Sequence, residues 1–205
     1  MELIKRNFYY IWGGVYLPPK LLNNPEKKIL HISDTPTIFY GALFRMIKKL
    51  KPQYIIHTGD LADNIKLELK PNKKNEYAQA VFSLLNILEN SPAEKIFITL
   101  GNHDNFSIAS QMANRSIIIE NTEVISIEDT SFKISHYAEN IMDSTCQFNL
   151  FGHDIIYNNY KKPGSIFLNG IKNINVITLD KKEIFYLPYP LGTNDSRLGK
   201  FKIGI

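Results

Sequence analysis

Two carboxylates, an amide and three imidazoles stand directly after short apolar runs of this chain. Asp34 follows KILHIS (Lys28 to Ser33), Gly59-Asp60 follows QYIIHT (Gln53 to Thr58), and Gly101-Asn102-His103-Asp104 follows Lys95 to Leu100. His136 follows SFKIS, and Gly152-His153 follows FNLF (Phe148 to Phe151). Mixed oxygen and nitrogen donors of this kind suit a divalent cation. Each residue alone has a plainer explanation. Asp and Asn beside Gly are ordinary turn formers, and a single His at a strand end is more often structural than a ligand. Coincidence over five separate segments favours a shared ion. The chain has five His; His31 and His57 lie inside strand candidates and are expected to be structural.

These donors can meet only if the apolar runs are strands that end on one side of a sheet. Phe39, Ala42, Leu43, Met46, Ile47 and Leu50 recur at helical spacing, as do Tyr77, Val81, Leu84, Leu85 and Leu88. Strands alternating with such helices predict βαβ crossovers and a parallel sheet, whose carboxyl ends bind ligands. From Ser116 onward SIII, TEVISI and SFKIS are short and rich in β-branched residues, which predicts antiparallel hairpins. A helix near Tyr137 to Met142 follows. Strands near Ser165 to Leu168, Asn175 to Leu179 and Ile184 to Leu187 are expected to complete a second sheet.

The length of 205 residues, 44% hydrophobic and 21% charged, fits one domain over 1–205 and excludes a disordered or fibrous chain. Residues 1–27 form a lead-in with a hairpin at Gly13-Gly14. The extension 188–205 is expected to be partly mobile or to pack across a neighbouring subunit. A net charge of +4 permits a nucleic-acid partner without requiring one. The lysine clusters at Lys48-Lys49-Lys51, Lys70-Lys73-Lys74 and Lys161-Lys162, with Arg197, Lys200 and Lys202, read as solvated faces. Of these segments, the loop Lys66 to Asn75 is best placed to overhang the site. The single Cys146 excludes an internal disulfide and a cysteine zinc cage, so a cytoplasmic setting is expected. No run reaches about 18 apolar residues, so no membrane partner is expected. The run Phe8 to Leu17 after Lys5-Arg6 imitates a secretion signal, but its Tyr, Trp and Gly content and the following Pro18-Pro19 argue against one.

The order DTP, GDLADN, GNHDN, SHY and GHD, beginning at Asp34, Gly59, Gly101, Ser135 and Gly152, resembles the calcineurin-like metallophosphoesterases from about Lys28 onward. The resemblance implies an α/β fold of two packed mixed β-sheets flanked by helices. It also implies cleavage of a phosphate mono- or diester, with two metals polarising the phosphoryl group and generating the attacking hydroxide. It assigns the second metal to Asp60, Asn102, His136 and His153. It places His103 over the scissile phosphate and makes Asp104 its orienting neighbour. The first metal would be left with Asp34 and the shared Asp60, because Pro36 and Ile155 stand where the family has imidazoles, and neither offers a lone pair.

One firmly held ion and one weak or absent ion are therefore expected. Mn²⁺ is the expected ion, with Mg²⁺, Fe²⁺ and Zn²⁺ as alternatives. The partner is a phosphate-ester substrate, and a homo-oligomer is permitted. The competing reading is a catalytically degenerate member that serves as a protein-binding scaffold. A Rossmann or P-loop nucleotide-binding domain is disfavoured because neither glycine fingerprint follows a strand.

Overall fold

The apolar runs ahead of Asp34, Asp60 and Asn102 are strands buried on both faces, as expected for parallel strands covered on either side. They pair in parallel, with Leu30 opposite Ile55 and Ile56 opposite Phe97. The computed structural model describes residues 2–199. Along the chain, helices α1 (Glu2–Ile11) and α2 (Pro19–Leu22) precede β1 (Lys28–Ile32), α3 (Tyr40–Leu50), β2 (Tyr54–Thr58) and α4 (Lys74–Glu89). Strand β3 (Lys95–Thr99), helix α5 (Phe106–Met112) and β4 (Ile117–Ile119) follow. Strands β5 (Glu123–Ile127), β6 (Thr130–Ile134), β7 (Phe148–Phe151), β8 (Tyr160–Lys162), β9 (Ser165–Asn169), β10 (Ile174–Thr178) and β11 (Ile184–Leu187) lead to helix α6 (Thr193–Arg197).

The strands form two mixed sheets, ordered β11-β10-β1-β2-β3-β4 and β5-β6-β7-β9-β8. Alternation of side chains divides the core. Leu30, Ile32, Ile55 and Ile96 pack with Leu43 and Ile47 of α3 and Tyr77 and Leu84 of α4. Their neighbours Ile29, Ile56 and Phe97 pack instead with Phe132, Phe148 and Leu150 of the second sheet. Two mixed sheets flanked by helices is the architecture that the sequence motifs imply.

Four local expectations need correction. The lead-in has no hairpin at Gly13-Gly14: residues Glu2–Ile11 are helical, because Ile4, Phe8 and Ile11 have the spacing of a helix face rather than strand alternation. Strand β4 does not pair with β5; α5 acts as a crossover and delivers β4 parallel to β3. Strands β10 and β11 add to the first sheet, where the free edge of β1 takes β10 antiparallel. The helix near Tyr137 to Met142 is only a 3-10 turn, Ala138–Asn140.

The extension is tied down as far as it is described. Arg197, expected on a solvated face, is 3% exposed. Its guanidinium donates to the carbonyls of Ser33, Asp34 and Ile171 at 3.0, 2.6 and 2.9 Å and stacks on Tyr189 at 3.9 Å. Lys200 and Lys202 lie outside the described residues.

Candidate metal centre

Strands β1, β2 and β3 stop together, and hydrogen bonds lock their ends. Asp34 N donates to the Gly59 carbonyl and Thr35 N to the Asp60 carbonyl, both at 2.9 Å. Asp34, Asp60 and His153 each have left-handed backbone, with φ of 50°, 56° and 57°. Such backbone costs on the order of 1–3 kcal/mol per residue and persists where surrounding contacts hold it. Here the side chains fasten neighbouring loops: Asp34 Oδ2 accepts His153 N at 3.1 Å, and Asp60 Oδ1 accepts His103 N at 3.0 Å.

Asp60, His136 and His153 converge, with one ligand-competent atom from each within 4.8 Å of the others. His136 Nε2 lies 3.5 Å from Asp60 Oδ2 and 3.2 Å from His153 Nδ1. His136 Nδ1 donates to the Thr58 carbonyl at 2.6 Å, which turns Nε2 toward the carboxylate. Burial opposes a charge on His136. The hydrogen bond and charge of Asp60, followed by the charge of Asp34, outweigh that penalty and push its pKa up to about 10. Burial likewise acts to raise Asp60, but His136 holds its carboxyl below the usual range.

Two glycines make this approach feasible. A Cβ on Gly59, itself at φ +92°, would come within 2.7 Å of Gly101 N, and one on Gly101 would come within 2.7 Å of His136 Nε2. Asn102 supplies a further oxygen. Its Nδ2 donates to Glu68 Oε2 at 2.6 Å, whereas its buried Oδ1 has no hydrogen-bond partner. A buried acceptor without a donor is costly, and a cation would satisfy it. The donor set and this orphaned oxygen both fit a divalent ion.

The structure separates His103 from Asp104. The Asp104 carboxylate accepts Asp60 N at 2.7 Å and Leu61 N, Gly101 N and Tyr77 OH at 2.9 Å. It is therefore committed to the loops after β2 and β3 and to α4, and it makes no hydrogen bond to the His103 ring. Burial and then the Asp60 charge push Asp104 up to about 6. The His103 ring meets Asn102 Nδ2 at 3.2 Å and Glu68 Oε2 at 3.4 Å, and burial lowers its pKa, which favours the neutral ring.

Two residues here escape a sequence reading. Asp63 is buried and shares a cluster of atoms within 4.8 Å with Asp60 and His103. Its signal is a second carboxylate in GDLADN, three positions after Asp60. Burial, then the Asp34 and Asp60 charges, raise it to about 7, and the Lys66 ammonium pairs with it. Glu68 lies in a lysine-rich loop and has no comparable signal. Pro36 ends in extended backbone before a 3-10 turn, and Ile155 is 54% exposed. Neither offers a donor to Asp34.

His31 and His57 are structural, as expected. His31 accepts from Asn175 Nδ2 at 3.1 Å and donates to Thr58 Oγ1 at 3.0 Å. His57 accepts Gly59 N at 3.2 Å and meets Thr35 Oγ1 at 3.0 Å.

A family profile described as calcineurin-like phosphoesterase matches residues 27–197. No curated protein matches the chain. Among solved structures, a novel archaeal phosphodiesterase aligns at TM-score 0.53 and 18% identity, covering 77% of this chain and 97% of its own. The E. coli phosphoesterase Yfce aligns at TM-score 0.51 and 13% identity, covering 79% and 98%. At these identities the likeness is one of fold.

Proposed function

This chain belongs to the calcineurin-like phosphoesterase family, and from that premise we propose that it hydrolyses a phosphate mono- or diester. Asp60, Asn102, His136 and His153 would hold one divalent ion, Mn²⁺ foremost. Bound there, the ion would supply Lewis acidity toward a phosphoryl oxygen and lower the pKa of water. The observation that carries this reading is the convergence of Asp60, His136 and His153, to which the buried, unpartnered Asn102 oxygen adds support.

The remaining steps fall to side chains. His103, kept neutral by burial, is the group to donate a hydrogen bond from its ring N–H to the departing oxygen. Glu68, whose Oε2 lies 3.4 Å from His103 Nδ1, is the carboxylate to steady that ring. Asp104 acts on the site only by positioning it, through the backbone of Asp60 and Gly101. His136 delivers Nε2 because its other nitrogen is held by Thr58.

The first metal position is weak in this reading. Asp34 and the shared Asp60 would serve it without the two imidazoles, and the Lys66 ammonium on neighbouring Asp63 supplies positive charge a second ion would otherwise bring. The whole described chain serves as one domain, with α1 as an appendage.

The test is elemental analysis of purified protein, paired with aryl phosphate mono- and diester assays across Mn²⁺, Mg²⁺ and Zn²⁺. One bound ion with metal-dependent hydrolysis is expected. Protein that takes up no metal and hydrolyses neither ester would sink the proposal and favour the scaffold reading that Pro36 and Ile155 motivate.

A further inference from the structure

Helix α1 turns an apolar face to solvent. Ile4, Phe8 and Ile11 recur at helical spacing and Trp12 extends them; they are 73%, 57%, 64% and 74% exposed, and no residue of the helix is buried. Its other side is moored to the body: the Tyr10 carbonyl accepts Leu191 N at 3.0 Å, and the Tyr9 ring packs near Tyr16 at 5.9 Å. These moorings hold the helix but leave its apolar face open, and a contiguous exposed apolar patch of this kind marks an interaction surface.

The charges around it identify the cover. Arg45 of α3 donates to the Gly13 carbonyl at 3.1 Å, and the Lys49 ammonium sits 5.8 Å from the Tyr9 ring centroid. Lys5 adjoins the apolar face on the helix itself, and Arg45 and Lys49 of α3 reach its edge at Gly13 and Tyr9, while Glu2 is the only acid in α1 and α3. A second copy would bring two cationic rims together. A helix with aromatic and aliphatic residues on one side and basic residues at the margin suits the interface of an anionic bilayer.

We propose that α1, with the basic surface of α3, docks this protein on an anionic lipid surface, Ile4, Phe8, Ile11 and Trp12 entering the headgroup boundary. The absence of a long apolar run concerns crossing a bilayer, not lying upon one, and the proposal departs from the expectation of no membrane partner on the strength of this face alone.

Trp12 is the only tryptophan of the chain, so its emission reports this event in the full-length protein. Vesicles of phosphatidylcholine mixed with phosphatidylserine should shift the emission to the blue, and phosphatidylcholine alone should not. Lys5→Glu with Lys49→Glu should weaken vesicle affinity at least roughly tenfold. Ile4→Ser with Phe8→Ser should abolish binding while the thermal unfolding of the body is unchanged. No shift with anionic vesicles, an equal shift with neutral ones, or a shift that needs only higher protein concentration would each overturn the proposal.

Discussion

Asp104 Oδ2 holds the backbone N–H of Asp60 at 2.7 Å, joining the loops that follow β3 and β2 across 44 positions of sequence. The same carboxylate also takes Leu61 N, Gly101 N and Tyr77 OH. An Asn at this place has one acceptor oxygen and would aim N–H groups at N–H groups. Asp104→Asn should therefore destabilise the fold by about 2–4 kcal/mol and weaken metal binding. Urea unfolding and metal stoichiometry check this. An unchanged unfolding midpoint with only turnover reduced would restore Asp104 to the orienting role.

His103→Ala should behave differently. It removes a group at the mouth of the site without touching the strut, so the bound ion and stability should persist while turnover falls roughly a hundredfold or more. Asp60→Asn and His153→Ala should instead abolish metal uptake. Steady-state kinetics beside elemental analysis distinguishes the two classes, and equal turnover in His103→Ala would remove its proposed part in the reaction.

Lys66→Met tests the weak first position. With the ammonium gone, the carboxylates Asp34, Asp60 and Asp63 should take up a second divalent ion, and adding Ile155→His should tighten it. Equilibrium dialysis against Mn²⁺ is the measurement, and the expected change is from one ion per chain toward two. A ratio that stays at one in both variants means Lys66 does not offset a missing cation.

Acid should weaken the fold through two buried rings. Burial pushes His31 down to about 3, and burial followed by the His31 charge does the same to His57. Both rings stay neutral in the native state, while in the unfolded chain they charge below about 6.5. Their stabilising contribution is thus whole above pH 6.5 and is lost as pH falls toward 3. Between these limits the two rings together cost about 3 kcal/mol per pH unit. Asp63 and Asp104, raised to about 7 and about 6, bind protons first in the native state and act in the opposite sense down to about pH 4. Urea unfolding of the parent and of His31→Gln in chelator at several pH values isolates the ring: the variant should lose about one proton of pH dependence between about pH 6 and pH 3, and an unchanged dependence would contradict this.

The strand ends were legible in the sequence because each apolar run is interrupted by a residue with a polar side chain and a turn-forming neighbour. That reading located Asp60, His136 and His153 in separate segments that do converge. Adjacency in GNHD suggests partnership of Asp104 with His103, whereas the turn sends the carboxylate back toward Gly101 and Tyr77. Strand order was less accessible. Ile174–Thr178 could pair with either sheet on its residues alone, and the free edge of β1 decided the matter. Helix α1 was missed because Gly13-Gly14 resembles a hairpin turn when the i, i+4 spacing ahead of it is overlooked.

The grip of Arg197 on the carbonyls of Ser33 and Asp34 makes the C-terminal segment a buckle on the first strand. A proteolytic nick ahead of Arg197 would unfasten the backbone that carries Asp34, although the two are 163 positions apart. A fusion partner spliced in after Gly199 would leave that buckle closed.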